Sequence, residues 1–456
     1  MLYTKNIESE KIYDVAVIGG GFSGFAAAYS AAREGANVVL VERDAALGGV
    51  GTRGLVNQML GIRTRYEGEY RTCIKGLCKE LEDRVLKEGE GIDFKSVDFN
   101  LSPHGWKPSL GLGFVFDNEY MKLTLERMLT EVGVEILYYT DVIDVIKENN
   151  SIKSVVTHNK SGLSLISAGC FVDATGDGDI YTLCGEDFFF GDSEGGLAAA
   201  SLEMHVENVD SKELFEYMKT TGDVRFKALI EPLKAQGKWD YDYEIFISVL
   251  LTHPDVYMIN TIRQVGIDGT SAESITRGTM DGREENYRLL ETMRAYFPGF
   301  KNATIRQIAS TIGIRETRRL KGVYTLSIDD VISSKRFEDS IAVSGYGWDM
   351  PNPKNPSHQP YHSVKRSSRF TEIPYRALLP KNTENLIVVG RCISTEREVL
   401  GVVRVMGPCV AMGEAAGIAA KMALDGSVSF SEVNVTALRE KIRKHGGICS
   451  ADEINE

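Results

Sequence analysis

The sequence predicts an α/β fold, and three observations in residues 15–42 predict it. Val15-Ala-Val-Ile18 is an apolar run with the character of a buried strand. It stops in Gly19-x-Gly21-x-x-Gly24, and a run of small and apolar residues continues from there as a helix. A second apolar run, Val38-Val-Leu-Val41, then ends at an acid, Glu42. Strand, glycine turn, helix and strand in this order make a Rossmann-like βαβ unit.

Each element has a mechanical reason to be there. Gly19 permits the tight turn, Gly21 leaves the backbone bare where a pyrophosphate approaches, and Gly24 lets the helix lie close to the strand. Ser23 stands in the same turn and belongs with the candidate binding residues. Ala28, Ala32 and Gly35 give the helix a small face. The unpaired N–H groups and dipole of the helix start favour phosphate charge. Glu42 falls where a carboxylate can accept hydrogen bonds from both hydroxyls of a ribose, with Arg43 beside it. Together these residues predict a dinucleotide site.

Later segments favour FAD over NAD. Gly48-Gly49 follows soon after the ribose acid, a pair that resembles flavoproteins in which the loop continues along the extended cofactor. Cys170-Phe-Val-Asp-Ala-Thr-Gly176 is a short strand running into a small-residue turn, and Thr175-Gly176 resembles a segment of FAD domains. Asn385-Leu-Ile-Val-Val-Gly390 is another strand, followed by Arg391 and Cys392. From Arg404, the stretch through Gly407, Pro408 and Gly417 reads as a small-faced helix with proline at its start.

With these segments in place the chain resembles FAD-dependent oxidoreductases of glutathione-reductase-like fold, near the fumarate reductase and succinate dehydrogenase flavoprotein group. It is similar to a broad bacterial family of such enzymes, carrying that family's segments as Gly313-Ile-Arg-Glu-Thr-Arg-Arg319 and Ile373-Pro-Tyr-Arg-Ala-Leu-Leu-Pro380. The resemblance covers roughly half of the chain, and residues 186–300 match no named family. It implies that the helix after Pro408 aims its N-terminus at the flavin pyrimidine ring, with Arg391 and Arg404 beside the isoalloxazine. It also implies FAD held non-covalently, because the related flavoproteins attach flavin through a histidine in the loop after the first unit. None occurs between Gly48 and Arg65.

A chain of 456 residues exceeds the usual reach of one core. Residues 1–185 and 370–430 are expected to form a discontinuous FAD-binding domain. Residues 186–369 would be an inserted α+β substrate domain, and 431–456 a C-terminal helix and tail. Within these, Arg71–Glu82 reads as helix and Tyr243–Val249 as strand, while the proline- and asparagine-rich stretch 348–360 excludes regular structure.

The formal charge of -12 argues against nucleic acid as a partner. The polar first ten residues are no signal peptide, and no apolar run is long enough to span a bilayer. Seven scattered cysteines suit a reducing, cytoplasmic setting. The expected partner is a small-molecule substrate, and a homo-oligomer is compatible with the sequence. Cys73 and Cys78 are spaced like a redox pair. They lie 24 residues or more beyond Gly49, however, in a stretch that reads as helix, so no active disulfide is expected.

The cofactor supplies redox chemistry, so the protein must supply a pocket, hydrogen-bond donors and an acid–base group. Three clusters qualify. Arg315, Glu316, Arg318 and Arg319 either clamp a polar substrate or form an ion-pair network between domains. Arg391 and Arg404 flank the last strand–helix junction. His358 and His362 stand in the loop returning to the first domain and titrate near neutrality. They flank Pro360 and have no evident third ligand, so no metal site is expected. His205 and His253 are lone histidines with weaker context. The function expected is a dehydrogenase or reductase that transfers hydride between flavin N5 and a small polar substrate bound between the domains. Two alternatives compete. A flavin-bound electron-transfer or scaffold subunit would be expected to carry an iron–sulfur cysteine cluster, which is absent. An FAD monooxygenase would usually carry Gly-Asp after the last strand, where this chain has Gly390-Arg391.

Overall fold

The computed structural model describes residue 7, residues 9–93 and residues 112–454. Most of the polar stretch read above as no signal peptide lies outside these residues, as do the last two residues of the tail.

The N-terminal unit folds as its pattern predicts. β1 (Glu10–Ile18) runs into helix α1 (Phe22–Arg33), and β2 (Val38–Val41) returns parallel to β1, with Val15 opposite Val38 and Val17 opposite Leu40. β3 (Glu135–Leu137) extends the sheet beyond β2. The hairpin β4 (Asp141–Glu148) and β5 (Ser151–Asn159) leads into β6 (Gly162–Asp173), which pairs in parallel with β1 from Leu165 to Asp173. The last strand of this sheet comes from far along the chain: Leu386–Val388 pairs in parallel with Phe171–Asp173. Four residues of continuous burial in β2 follow from a parallel strand covered on both faces.

The helix Met406–Gly426 lies directly against α1. A Cβ at Gly413 would come within 2.1 Å of the Ser23 carbonyl oxygen, and one at Gly417 within 2.2 Å of that of Ala27. Only glycine at both positions allows the two helix backbones to approach this closely.

A second sheet is antiparallel throughout. It comprises β7 (Met204–Glu207), β8 (Ser248–Leu250), β9 (Tyr257–Ile259) and β10 (Thr304–Ile308), in the order β8-β9-β7-β10. The long helix Ala272–Tyr296, capped by the Ser271 side chain, packs Leu289, Leu290 and Met293 beside it. A separate apolar core gathers here around Phe226, Phe246, Phe297 and Phe300. Beyond it, Leu326, Phe337, Ile341, Trp348 and Phe370 pack into the core of the first sheet. The expected insertion at 186–369 thus contains residues of both cores.

Two local expectations need correction. Arg71–Glu82 is not one helix: Glu69–Thr72 is a strand paired with Arg63–Tyr66, and the helix begins only at Leu77. Gly76 at φ +62° breaks the chain between them. Cys73 therefore precedes the helix and Cys78 lies within it; both are buried free thiols. The strand expected over 243–249 starts only at Ser248. Upstream, the Trp239 indole donates to the Tyr243 carbonyl, and the Arg263 guanidinium stacks 4.2 Å from the Tyr243 ring. Side-chain packing there overrides the alternating pattern.

Candidate active site

A cleft opens at the C-terminal ends of the parallel strands, where open α/β sheets bind ligands. Gly19, Gly21, Ser23, Glu42, Arg43 and Gly49 line it from the first unit, and Thr175, Gly176 and Arg391 from the two strands beyond. The three motif glycines differ physically. Gly19 sits at φ +101° against Ala174, and a Cβ at Gly24 would come within 1.8 Å of the Gly19 carbonyl oxygen. Gly21 faces open space, with nothing within 4 Å of the Cβ it lacks. Gly19 and Gly24 therefore shape the turn, while Gly21 leaves room for a ligand. Gly21 is also the N-cap of α1, and no side chain caps that helix start.

Glu42 is buried at the cleft edge, where Oε2 accepts from the Gly20 amide at 2.6 Å and Oε1 from the Asp44 amide at 2.9 Å. These bonds fix its direction and leave lone pairs for hydroxyl groups. Arg53 reaches across to Glu42 and pairs with Asp44. Opposite, the buried Asp173 carboxylate accepts from the Thr175 amide and hydroxyl and from the amides of Ile180 and Tyr181. Burial nevertheless raises its pKa to about 6. Arg391 is held by Asp177 at 2.7 Å and by the Thr317 hydroxyl at 3.0 Å, which presents it along the cleft.

Arg404 lines the same cleft. Its guanidinium donates to the backbone carbonyl and carboxylate of Asp349 at 3.0 and 3.1 Å, and its buried Nε has no hydrogen-bond partner among the described residues. Gly407 is placed differently from the sequence reading. Its amide donates to the Leu60 carbonyl at 3.0 Å, and it packs against the 60–62 turn without lining the cleft. The neighbouring Met406 and Cys409 do line it.

The arginine-rich segment splits in two. Glu316 is fully buried and accepts from the Ala198 amide, Arg319 and Arg397 at 2.8–2.9 Å. Arg318 binds the Gly178–Thr182 turn. These residues dock the second region onto the first, as the ion-pair reading expects. Arg315 points elsewhere and has the Ala199 carbonyl as its acceptor.

His358 and His362 are exposed in the 348–362 loop and do not line the cleft. The loop is tied by the Asn352 side chain and a bond from the Asn352 amide to the His358 carbonyl, which leaves both imidazoles in solvent. His205 is buried and bonded to Asn57 Oδ1 at 2.7 Å, and burial lowers its pKa to about 4. It tethers β7 to the 55–57 loop. Lining residues that sequence reasoning missed include Arg53, Asp177, Thr311 and Ile314. Asp177 immediately follows the Thr175-Gly176 pair, and Ile314 immediately precedes Arg315.

These features fit FAD: a bare glycine at an uncapped helix start, a fixed acid near it, and an arginine on the same cleft wall with an unpartnered Nε. A family model described as FAD dependent oxidoreductase matches residues 14–442. The chain belongs to that family. It is an FAD-dependent oxidoreductase, an enzyme whose cofactor is FAD.

Solved structures similar to this FAD-dependent oxidoreductase include a geranylgeranyl bacteriochlorophyll reductase-like protein from Thermoplasma acidophilum. It is 14% identical over 96% of this chain and 84% of that one, with a TM-score of 0.47. The p-nitrophenol 4-monooxygenase of Pseudomonas putida is 12% identical over 96% and 85%, with a TM-score of 0.46. A flavin-dependent brominase is 12% identical over 94% and 83%, with a TM-score of 0.47. These likenesses are too remote to bear on substrate or reaction. Among the described residues no single helix is long and apolar enough to cross a membrane.

Proposed function

We propose that this FAD-dependent oxidoreductase is a dehydrogenase or reductase acting on a small polar substrate held between the cleft and the second sheet. The kinship with fumarate reductase and succinate dehydrogenase flavoproteins belongs to the same proposal and rests on the sequence motifs. FAD, when bound, supplies hydride transfer at its N5. The protein's share is to hold the cofactor, orient the substrate and stabilise charge. Gly19, Gly21, Ser23 and Gly24 form the phosphate turn, with Gly24 acting through packing. Glu42 takes the ribose, with Arg43 and Gly49 beside it, and Thr175, Gly176, Gly390 and Arg391 border the extended cofactor.

Arg404 is the observation that carries the reading. A guanidinium on the cleft wall, oriented by Asp349 and with a buried donor unused, is built to meet negative charge on a ligand. Anaerobic titration of the purified protein with a panel of small metabolites tests the proposal. At least one is expected to bleach the flavin, and Arg404→Lys is expected to slow that reduction while FAD stays bound. A flavin that no small molecule reduces, and that only a protein reductase reduces, would instead indicate an electron relay without its own substrate.

A further inference from the structure

Residues 48–57 run from the glycine turn to the second sheet and are held at both ends. The Gly48 amide donates to the Gly20 carbonyl at 2.8 Å, and the Cβ that Gly49 lacks would stand 3.4 Å from the Gly21 Cα. At the other end Leu55 is fully buried in a cluster whose other core members, Ala200, Leu202, Ile267, Ala309 and Ile312, all belong to the second region. His205 Nε2, on β7, lies 3.3 Å from the Leu55 carbonyl and 2.7 Å from Asn57 Oδ1. Leu55 reaches this cluster at φ +58°, a conformation leucine rarely adopts, so the packing there outweighs a local cost.

Arg53 stands between these ends and touches both sides. Its Nη2 lies 3.4 Å from Oε1 of Glu42, the acid beside the glycine turn, and its Nη1 pairs with Asp44. Nη1 also donates to the Thr311 hydroxyl at 3.2 Å, and the Arg53 carbonyl accepts from the Ser310 amide at 3.1 Å. Only Ala309 separates Ser310 from the end of β10. The Arg53 side chain is 12% exposed, so solvent screens these contacts little. Burial lowers its pKa and Glu42 opposes that shift, which marks Glu42 as its main counter-ion. One guanidinium thus bonds the acid read above as the ribose acceptor and the segment that ends the second sheet.

We infer that Arg53 is a positioning residue that couples cofactor binding to the docking of the second sheet. When Glu42 is engaged by the ribose of FAD, the guanidinium is fixed, and it in turn holds the end of β10. The coupling rests on the reading that Glu42 takes the ribose. Linkage is reciprocal, so releasing β10 must weaken FAD by the factor by which FAD firms β10.

The test is backbone hydrogen exchange, measured by mass spectrometry over Thr304–Ile308 with and without saturating FAD. This strand does not line the cleft, so direct contact with the cofactor does not enter the readout. In the wild type, FAD is expected to slow exchange there by about fivefold or more. In Arg53→Met and in Thr311→Val, each saturated with FAD, that slowing is expected to vanish, and FAD affinity is expected to fall by at least a similar factor. An arginine that serves only the fold would lower the melting temperature and leave the FAD-dependent slowing in place. Should Arg53→Met fail to fold, Thr311→Val decides alone. Slowing that persists in Thr311→Val, or no slowing in the wild type, would overturn the coupling. Glu42→Ala separates the two readings. If it weakens FAD while Thr311→Val keeps the slowing, the ribose assignment stands and the coupling falls. If it leaves FAD affinity unchanged, the ribose assignment falls and the coupling falls with it.

Discussion

The glycine-lined cleft and the buried ion-pair network at Glu316 are built on opposite plans. The cleft is made of backbone. Its working parts are a turn at φ +101°, an uncapped helix start and a glycine with nothing near its missing Cβ, all within six residues of chain. The network is made of side chains: Glu316 binds Arg319 and, 81 residues further along the chain, Arg397. A cofactor common to many enzymes is bound by a conformation that one short motif encodes. Docking one region of this chain onto another calls for charges placed by the tertiary fold.

This contrast predicts where each region is fragile. The network hangs on Glu316, whose carboxylate is shared by Arg319 and Arg397 in the interior. Glu316→Gln leaves the buried Arg319 without a carboxylate partner and Arg397 with only Glu398 at 3.6 Å, and is expected to cost about 3–5 kcal/mol of stability, measured by denaturant unfolding. A loss below about 1 kcal/mol would mean that the two regions dock by apolar contact alone.

A smaller effect is expected from pH through His205, which ties β7 to the 55–57 loop. Its folded pKa of about 4 lies below the ordinary 6.5. The unfolded chain therefore binds the extra proton between those values, and stability falls as pH drops from about 6.5 to about 4. The total expected from this group is about 3 kcal/mol. His205→Gln should flatten the stability–pH profile in that window, and an unchanged slope would assign the acid sensitivity to other groups.

The same contrast explains what could be read in advance. Residues 15–42 announced strand, turn, helix and strand because period, glycine spacing and the terminal acid all lie within one local unit, and the structure reproduces it with register. The returning strand Leu386–Val388 was legible from its apolar run and following glycine. Gly407 was misplaced because nothing local says that its amide is taken by Leu60. His358 and His362 looked useful by residue type, but exposure is a property of the folded loop. Arg397 carried no signal: it lies in an unremarkable stretch, and only the folded chain brings it to Glu316 and the Pro351 carbonyl. Arg315 was singled out, but its separation from Glu316, Arg318 and Arg319 depends on which way each side chain leaves the backbone.

The central claim, that the cleft holds FAD through the bare backbone at Gly21, is tested most directly by Gly21→Val, measuring apo-protein melting and FAD affinity together. No protein atom lies within 4 Å of a Cβ there, so the apo fold should melt close to the wild type, while FAD affinity falls by about 100-fold or more because the pyrophosphate loses its approach. Gly24→Val, which would strike the Gly19 carbonyl, should lose both fold and FAD. A Gly21→Val protein that keeps wild-type affinity for FAD would contradict the account.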